Sequence, residues 1–198
     1  MNIFAVNDNP VLAAFDLPDK LVVKMPTESL QLLTPYCFNQ FEEYIQKPDG
    51  TNYGTKGFAH HPCAKWLYES PSNPWWLLTH ANAMCGAYYN RYRKSHGVVS
   101  GLKQVGRLLE KHHAGYSCHD HTPFVTAMPD EFKIEGDPVQ SYRDYLIGAK
   151  GYSEWRYSEK PTWWDDEKHE PVRQQYLAER EAKRMKRKHE HQRASATV

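Results

Sequence analysis

The sequence predicts a mainly α fold: a single-domain helical bundle around a long central helix, with a charged C-terminal helix. Three observations predict it. From Asp19 to Leu33, the residues Leu21, Val22, Met25, Ser29, Leu32 and Leu33 share one side at helical spacing, as an inward-facing stripe must. Asn73-Pro74 supplies an N-cap with proline at the first helical position, and Trp75 to Ser95 then stays periodic until Gly97 offers a stop. No segment alternates apolar and polar residues as a half-buried strand does, and no internal repeat occurs. The expected organisation is a helical core domain over 1–168 and a basic charged helix or tail over 169–198.

In chain order, Met1 to Val6 is short and apolar, and Asn7-Asp8-Asn9-Pro10 is a turn signal able to cap a helix over Val11–Phe15. In the Asp19 helix, Lys20, Lys24 and Glu28 recur at i, i+4 and i+8 with Gln31 beside them, so a polar line runs up a second side. Pro26 removes a donor and clashes with the preceding turn, which predicts a kink or a restart. Phe38 to Ile45 reads as another short helix, and Lys47 to Gly57 as a mobile loop. His61-Pro62-Cys63 stands at the start of a helix leading into the central one, where Trp76, His80, Met84 and Tyr88 form a line. The central helix is expected to be the longest, and Leu102 to His113 is a further helix. A loop with Cys118, His119, Asp120 and His121 follows, then a proline-punctuated crossing through Thr122-Pro123 and Met128-Pro129-Asp130-Glu131. Asp137-Pro138 starts a helix holding Tyr142, Arg143, Tyr145 and Leu146, after which Trp155, Tyr157, Trp163 and Trp164 wrap back over the core. Glu170 to His191 is a long charged helix with few apolar positions, expected to fray without a partner.

The chain holds 198 residues, enough to bury a sizeable core in one domain. It carries 13 Tyr, 7 Phe and 6 Trp within a polar composition, so many rings must sit half-buried, as in a cleft or an interface. No apolar run approaches the roughly 20 residues needed to cross a bilayer, and the N-terminus lacks the basic flank and apolar stretch of a signal peptide. The expected location is therefore intracellular, with no membrane partner. Cys37, Cys63, Cys85 and Cys118 form no Cys-x-x-Cys pair, so reduced thiols are the default and a structural zinc site finds no support. The net charge of +1 hides an asymmetry, because Arg173 to Arg193 holds eight Lys/Arg against three Glu. A basic end of this kind suits phosphate binding and equally suits an ordinary solvated charged helix.

Several chemistries are excluded. Neither Gly-x-x-x-x-Gly-Lys nor Gly-x-Gly-x-x-Gly occurs, which argues against ATP-driven steps and Rossmann cofactors, and no cofactor is expected. His119-Asp120-His121 offers two donors at most, where a metal needs three or four, so no metal is expected. Cys63 lacks the strand-turn-helix elbow of a thiol nucleophile and reads as a small buried residue. What remains is Glu28 with Lys24 on a rigid helix, a carboxylate base beside an anion-binding cation, and His61 at a helix start facing a cleft. The run Tyr88-Tyr89-Asn90-Arg91-Tyr92-Arg93-Lys94 mixes phosphate-contacting cations with rings that stack on bases.

Met1-Asn2-Ile3-Phe4, Asp19-Lys20, Val22-Val23-Lys24-Met25, Glu28, Gln31-Leu32-Leu33, His61-Pro62-Cys63, Lys65-Trp66, Asn73, Thr122-Pro123, Met128-Pro129-Asp130-Glu131, Lys133 and Tyr142-Arg143 together resemble a group of small phage-encoded proteins. The likeness runs to about Trp164 and omits the basic end. More distantly, the layout resembles the phage pyrimidine-dimer DNA glycosylase (endonuclease V) family, on Leu17, Asp19, Glu28 and, more loosely, His61. That resemblance implies a helical scaffold on double-stranded DNA with Glu28 as the catalytic glutamate. It also implies a free α-amine at a threonine uncovered by Met removal. Here position 2 is Asn2, a poor context for that removal, and position 21 is Leu21 where histidine is favoured.

The resemblance implies handling of an extruded nucleotide, since chemistry on a base requires taking it out of the stack. Lys20, Lys65, Arg91, Arg93, Lys94 and Arg143 are the expected DNA contacts, Trp66, Trp76 and Tyr88 the expected base pocket, and Glu28, Lys24 and His61 the expected catalytic group. The lost threonine favours modification of a thymine-type base, by transfer of an amino group or amino acid from a small donor, over excision. The alternatives are a pyrimidine-dimer glycosylase/AP lyase and a non-catalytic DNA- or protein-binding phage accessory protein.

Overall fold

The computed structural model describes residues 2–195. Removal of Met1 and the last three residues of the expected tail lie outside them. Among the described residues there are seven α-helices, one 3-10 turn (Asp130–Phe132) and no strand beyond an isolated antiparallel bridge between Gln46 and Asn52. The helices are α1 (Pro10–Asp16), α2 (Asp19–Phe41), α3 (Pro62–Trp66), α4 (Ser72–Tyr92), α5 (Val99–His112), α6 (Pro138–Ala149) and α7 (Asp166–Ser195).

α4 packs on α1, α2 and α5, while α2 also packs on α5 and touches α3. The stripe on α2 is buried as its spacing demands, with Leu21, Val22, Met25, Ser29, Leu32 and Leu33 at 0–2 % exposure. Each large apolar side chain taken fully out of water contributes about 1.5–3 kcal/mol. That burial explains why α2 runs unbroken through both Pro26 and Pro35 instead of restarting. Two missing donors cost less than unpacking the stripe, because most helical stability in a protein comes from tertiary contacts. The separate helix expected at Phe38–Ile45 is absent: Phe38 to Phe41 close α2, and Glu42 caps it in the left-handed region at φ 60°.

α4 spans 21 residues, fewer than the 23 of α2 and the 30 of α7, so it is not the longest helix. It begins at Ser72, and Asn73 does not cap it. Asn73 is instead a buried cross-link: its Nδ2 donates to the Trp66 carbonyl (2.6 Å) and Thr122 Oγ1 (2.8 Å), and its Oδ1 accepts from the Thr122 amide (2.9 Å). α4 stops before Gly97, with Arg93 in the left-handed region at φ 55° as its cap. Asn9 does cap α1, accepting from the Val11 and Leu12 amides, and Asp137 caps α6 through the Gln140 amide.

Ile3 to Val6 thread through the core at 0–5 % exposure. Arg143 Nε donates to the Val6 carbonyl at 2.9 Å, and Phe4 stacks on Tyr145 with centroids 6.2 Å apart. α6 carries α7 in turn. α7 starts at Asp166, ahead of the expected Glu170, and among the described side chains it docks through its first turns: His169 is buried and Val172, Arg173 and Tyr176 are half-buried. From Leu177 through Lys188 its side chains are exposed. Gly151 permits the docking, since a β-carbon there would overlap Tyr176 Cβ and come within 2.6 Å of the Val172 carbonyl oxygen.

Candidate active site

The inward stripe of α2 fixes which side of the helix is left for chemistry. Lys20, Lys24 and Glu28 follow one another a turn apart on that outer side, and Lys24 Nζ lies 2.7 Å from Glu28 Oε1. The two partners differ in setting: the Lys24 side chain is 62 % exposed and that of Glu28 only 13 %. A mostly shielded carboxylate held by a solvent-facing ammonium can act as a base with a cation beside it.

Tyr152 and Cys63 feel the Glu28 charge. Burial pushes the Tyr152 hydroxyl up to about 12, with Tyr145, Glu28 and Tyr176 adding to it. Burial likewise pushes the Cys63 thiol up to about 12, with a contribution from Glu28 in the same direction. Cys63 is therefore a thiol at neutral pH and no nucleophile, in keeping with its 0 % exposure. His61 caps α3, where its Nδ1 accepts from the Cys63 amide at 3.1 Å. In the neutral ring this places the proton on Nε2.

Grooves lie on both sides of the Lys24–Glu28 pair. Toward the C-terminal end of α2, a cavity of about 520 Å³ is formed by Leu32, Pro35 and Asn39, the 55–59 loop, Ala64 and Tyr68. Toward the N-terminal end, one of about 700 Å³ lies between Lys20, the 151–157 loop and α7. Leu32 and Lys20 are 12 positions apart on the same helix, about 18 Å at the helical rise.

The expected base pocket does not form. Trp66 and Trp76 are both at 0 % exposure, packed edge-to-face against each other and around Phe124. Their indole N–H groups donate to the carbonyls of Pro123 (3.1 Å) and Asp8 (2.7 Å), so both are core residues with satisfied polar ends. Tyr88 is half-buried on α4, against Tyr92 and His96. Arg91 is no DNA contact either. Its side chain is 2 % exposed and donates to Asp19 Oδ1 and to the carbonyls of Leu17 and Phe15. Arg143 is half-buried, with its guanidinium 5.5 Å from the Trp163 ring centroid. Lys20, Lys65, Arg93 and Lys94 are exposed.

The residues missed by sequence reasoning are Tyr152, Ser153, Tyr157, Tyr176 and Arg180 in the N-terminal groove, and Pro35, Asn39 and Tyr68 in the other. The only signal for the first set was the aromatic density after α6. Among the described residues, no three His, Cys, Asp or Glu converge as metal ligands, and no helix is long and apolar enough to cross a membrane. His121 stacks on Phe124, its Nδ1 2.9 Å from the Thr122 carbonyl oxygen.

A family model described as pyrimidine dimer DNA glycosylase matches residues 1–100, which take in α1 to α4 and hence Lys24, Glu28 and His61. No curated protein and no solved structure gives a significant match.

Proposed function

The chain belongs to the pyrimidine dimer DNA glycosylase family, and from that premise we propose that it cleaves the base–sugar bond of a pyrimidine nucleotide in DNA. Glu28 is the catalytic residue in this reading. Its carboxylate takes a proton from a water that attacks C1′. The new C1′–O bond forms as the C1′–N1 bond breaks, and the electron pair leaves with the base, which is then protonated. Lys24 orients the carboxylate and sets positive charge near the departing anion. The carrying observation is the 2.7 Å pair between Lys24 and the shielded Glu28, flanked by two grooves and lying inside the matched region. Transfer of an amino group or amino acid onto the base, which the absence of the family's threonine at position 2 favoured, gains no support from the family match, and no donor is invoked.

The test is base release from a duplex carrying one cyclobutane pyrimidine dimer, read as alkali-labile breaks, with a borohydride trap alongside. Dimer-dependent breaks without a trapped adduct support hydrolysis through Glu28. A trapped adduct replaces the water by an amine of the protein and keeps the excision. No breaks from wild-type protein that binds the duplex leaves a non-catalytic DNA-binding protein.

A further inference from the structure

Beyond the matched region, the chain builds a second set of groups pointed at α2. The 700 Å³ groove combines cations with rings, including Lys20, Arg173 and Arg180 with Tyr152, Tyr157 and Tyr176. Its two carboxylates are already engaged: Asp19 accepts from Arg91 and from the Arg156 amide, and Glu154 pairs with the Arg156 guanidinium at 2.9 Å. Lys20 Nζ is held over the Tyr152 ring at 4.3 Å and 5.7 Å from that of Tyr176. Arg173 in turn pairs with Glu170 at 3.7 Å, yet the four cations of the lining, Lys20, Arg156, Arg173 and Arg180, outnumber its two carboxylates, so the groove carries a surplus of positive charge on an aromatic lining. Ser153 lines it too, at 6 % exposure, and its hydroxyl has no hydrogen-bond partner among the described residues. A buried hydroxyl left unbonded costs about 1–3 kcal/mol, a cost that a phosphate oxygen reaching it from the groove removes.

We propose that this groove is a nucleotide seat: Ser153, Lys20, Arg173 and Arg180 hold a phosphate, and the tyrosines stack the adjoining base. The proposal rests on the excision reading only in taking the ligand to be a nucleotide of the DNA strand that passes Glu28. A free mononucleotide presents the same phosphate and ring, and the test separates the two sources. The seat also gives α7 a definite role. Arg173, Tyr176 and Arg180 follow at i, i+3 and i+7, one face of the helix turned to Lys20. Single-strand binding elsewhere uses the same pairing of backbone cations with stacking rings.

The experiment measures binding of a fluorescent 12-nucleotide single strand, and of dTMP by calorimetry, to the full chain. The variants are Arg173→Gln with Arg180→Gln, Ser153→Ala, and a control that removes equal charge from the projecting part of α7, Arg187→Gln with Lys188→Gln. The groove pair is expected to weaken the strand at least tenfold and to abolish dTMP binding, Ser153→Ala to weaken both several-fold, and the control to leave dTMP unchanged. Strand binding a hundredfold tighter than dTMP assigns the seat to DNA, whereas equal affinities assign it to the free nucleotide. Groove variants that bind both ligands as tightly as the control overturn the seat. Groove-dependent binding with no base release sinks the excision reading and leaves the seat, and groove-independent base release does the reverse.

Discussion

Asp19 Oδ1 lies 3.0 Å from Arg91 Nη1, joining the first residue of α2 to the last turn of α4. Asp19 Oδ2 accepts from the Arg156 amide at 2.8 Å, and the Asp19 amide donates to the Glu154 carbonyl at 2.9 Å. One carboxylate therefore fixes α2, α4 and the loop that walls the basic groove. Removing one partner of a buried pair leaves an uncompensated charge and costs about 3–5 kcal/mol. Arg91→Ala is expected to lower the urea midpoint accordingly, while Arg93→Ala, on the exposed cap, stays within about 0.5 kcal/mol. Equal midpoints for the two variants count against a structural Arg91.

Glu28→Gln keeps size and hydrogen-bonding reach but removes the base. DNA affinity should persist while turnover falls by about 100- to 10,000-fold, the usual contribution of general acid–base catalysis. If the pair with Lys24 were only an ordinary i, i+4 bridge, the change would be about 0.3–0.5 kcal/mol in stability with near-normal turnover. Single-turnover rates on dimer-containing duplex decide between these outcomes.

His80 makes the protein acid-sensitive. Burial pulls its pKa down to about 4, opposed by the Pro10 and Ile3 main chain that faces the ring. In the unfolded chain the ring takes its proton near the ordinary value of about 6.5. The unfolded state therefore binds the proton first. This contribution to stability is complete above about pH 6.5, and roughly 3 kcal/mol of it is lost as the pH falls toward 4. Imidazole resonances of His80 that titrate above pH 6 would contradict this.

Gly151→Ala tests the docking of α7 by itself. The added carbon meets Tyr176 Cβ and the Val172 carbonyl, so the first turns of α7 must shift from the 151–157 loop. Strand binding should weaken toward the level of the Arg173/Arg180 pair, while turnover of bound substrate at Glu28 is retained. Unchanged affinity and unchanged amide-exchange protection at Val172–Tyr176 would show that α7 docks elsewhere.

Deleting Glu181 to Val198 removes six Lys/Arg and two Glu, a net +4. Binding of duplex DNA should weaken with a flatter salt dependence, because fewer counterions are released. Discrimination between damaged and intact duplex should hold, since backbone contacts position without reading sequence. A salt slope identical to that of the full chain assigns the projecting helix another role.

The legible parts of this molecule were those governed by local period. The α2 stripe and the Lys24–Glu28 line follow from helical spacing alone, and both are realised. Arg91 misled because its partner lies 72 residues away in sequence, so its run of neighbouring cations and rings looked like a phosphate-binding surface. Trp66 and Trp76 misled for a related reason. An indole reads as a cleft wall until something is known to accept its N–H, and here Pro123 and Asp8 do so from distant segments. Ser153 and Tyr176 had no sign beyond the aromatic density after α6, because their groove exists only once α7 folds back to α2.

Three of the four thiols, Cys37, Cys63 and Cys85, are buried and pushed up to about 12 by desolvation, whereas Cys118 sits half-exposed on the loop after α5. A maleimide dye added to the native protein should therefore couple at Cys118, giving a single attachment point for fluorescence work without mutating the chain. The same contrast makes the three slow thiols a clock for opening. Their labelling rate under native conditions reports how often the core exposes itself, and DNA that stabilises the fold should lower the logarithm of that rate in proportion to the stabilisation.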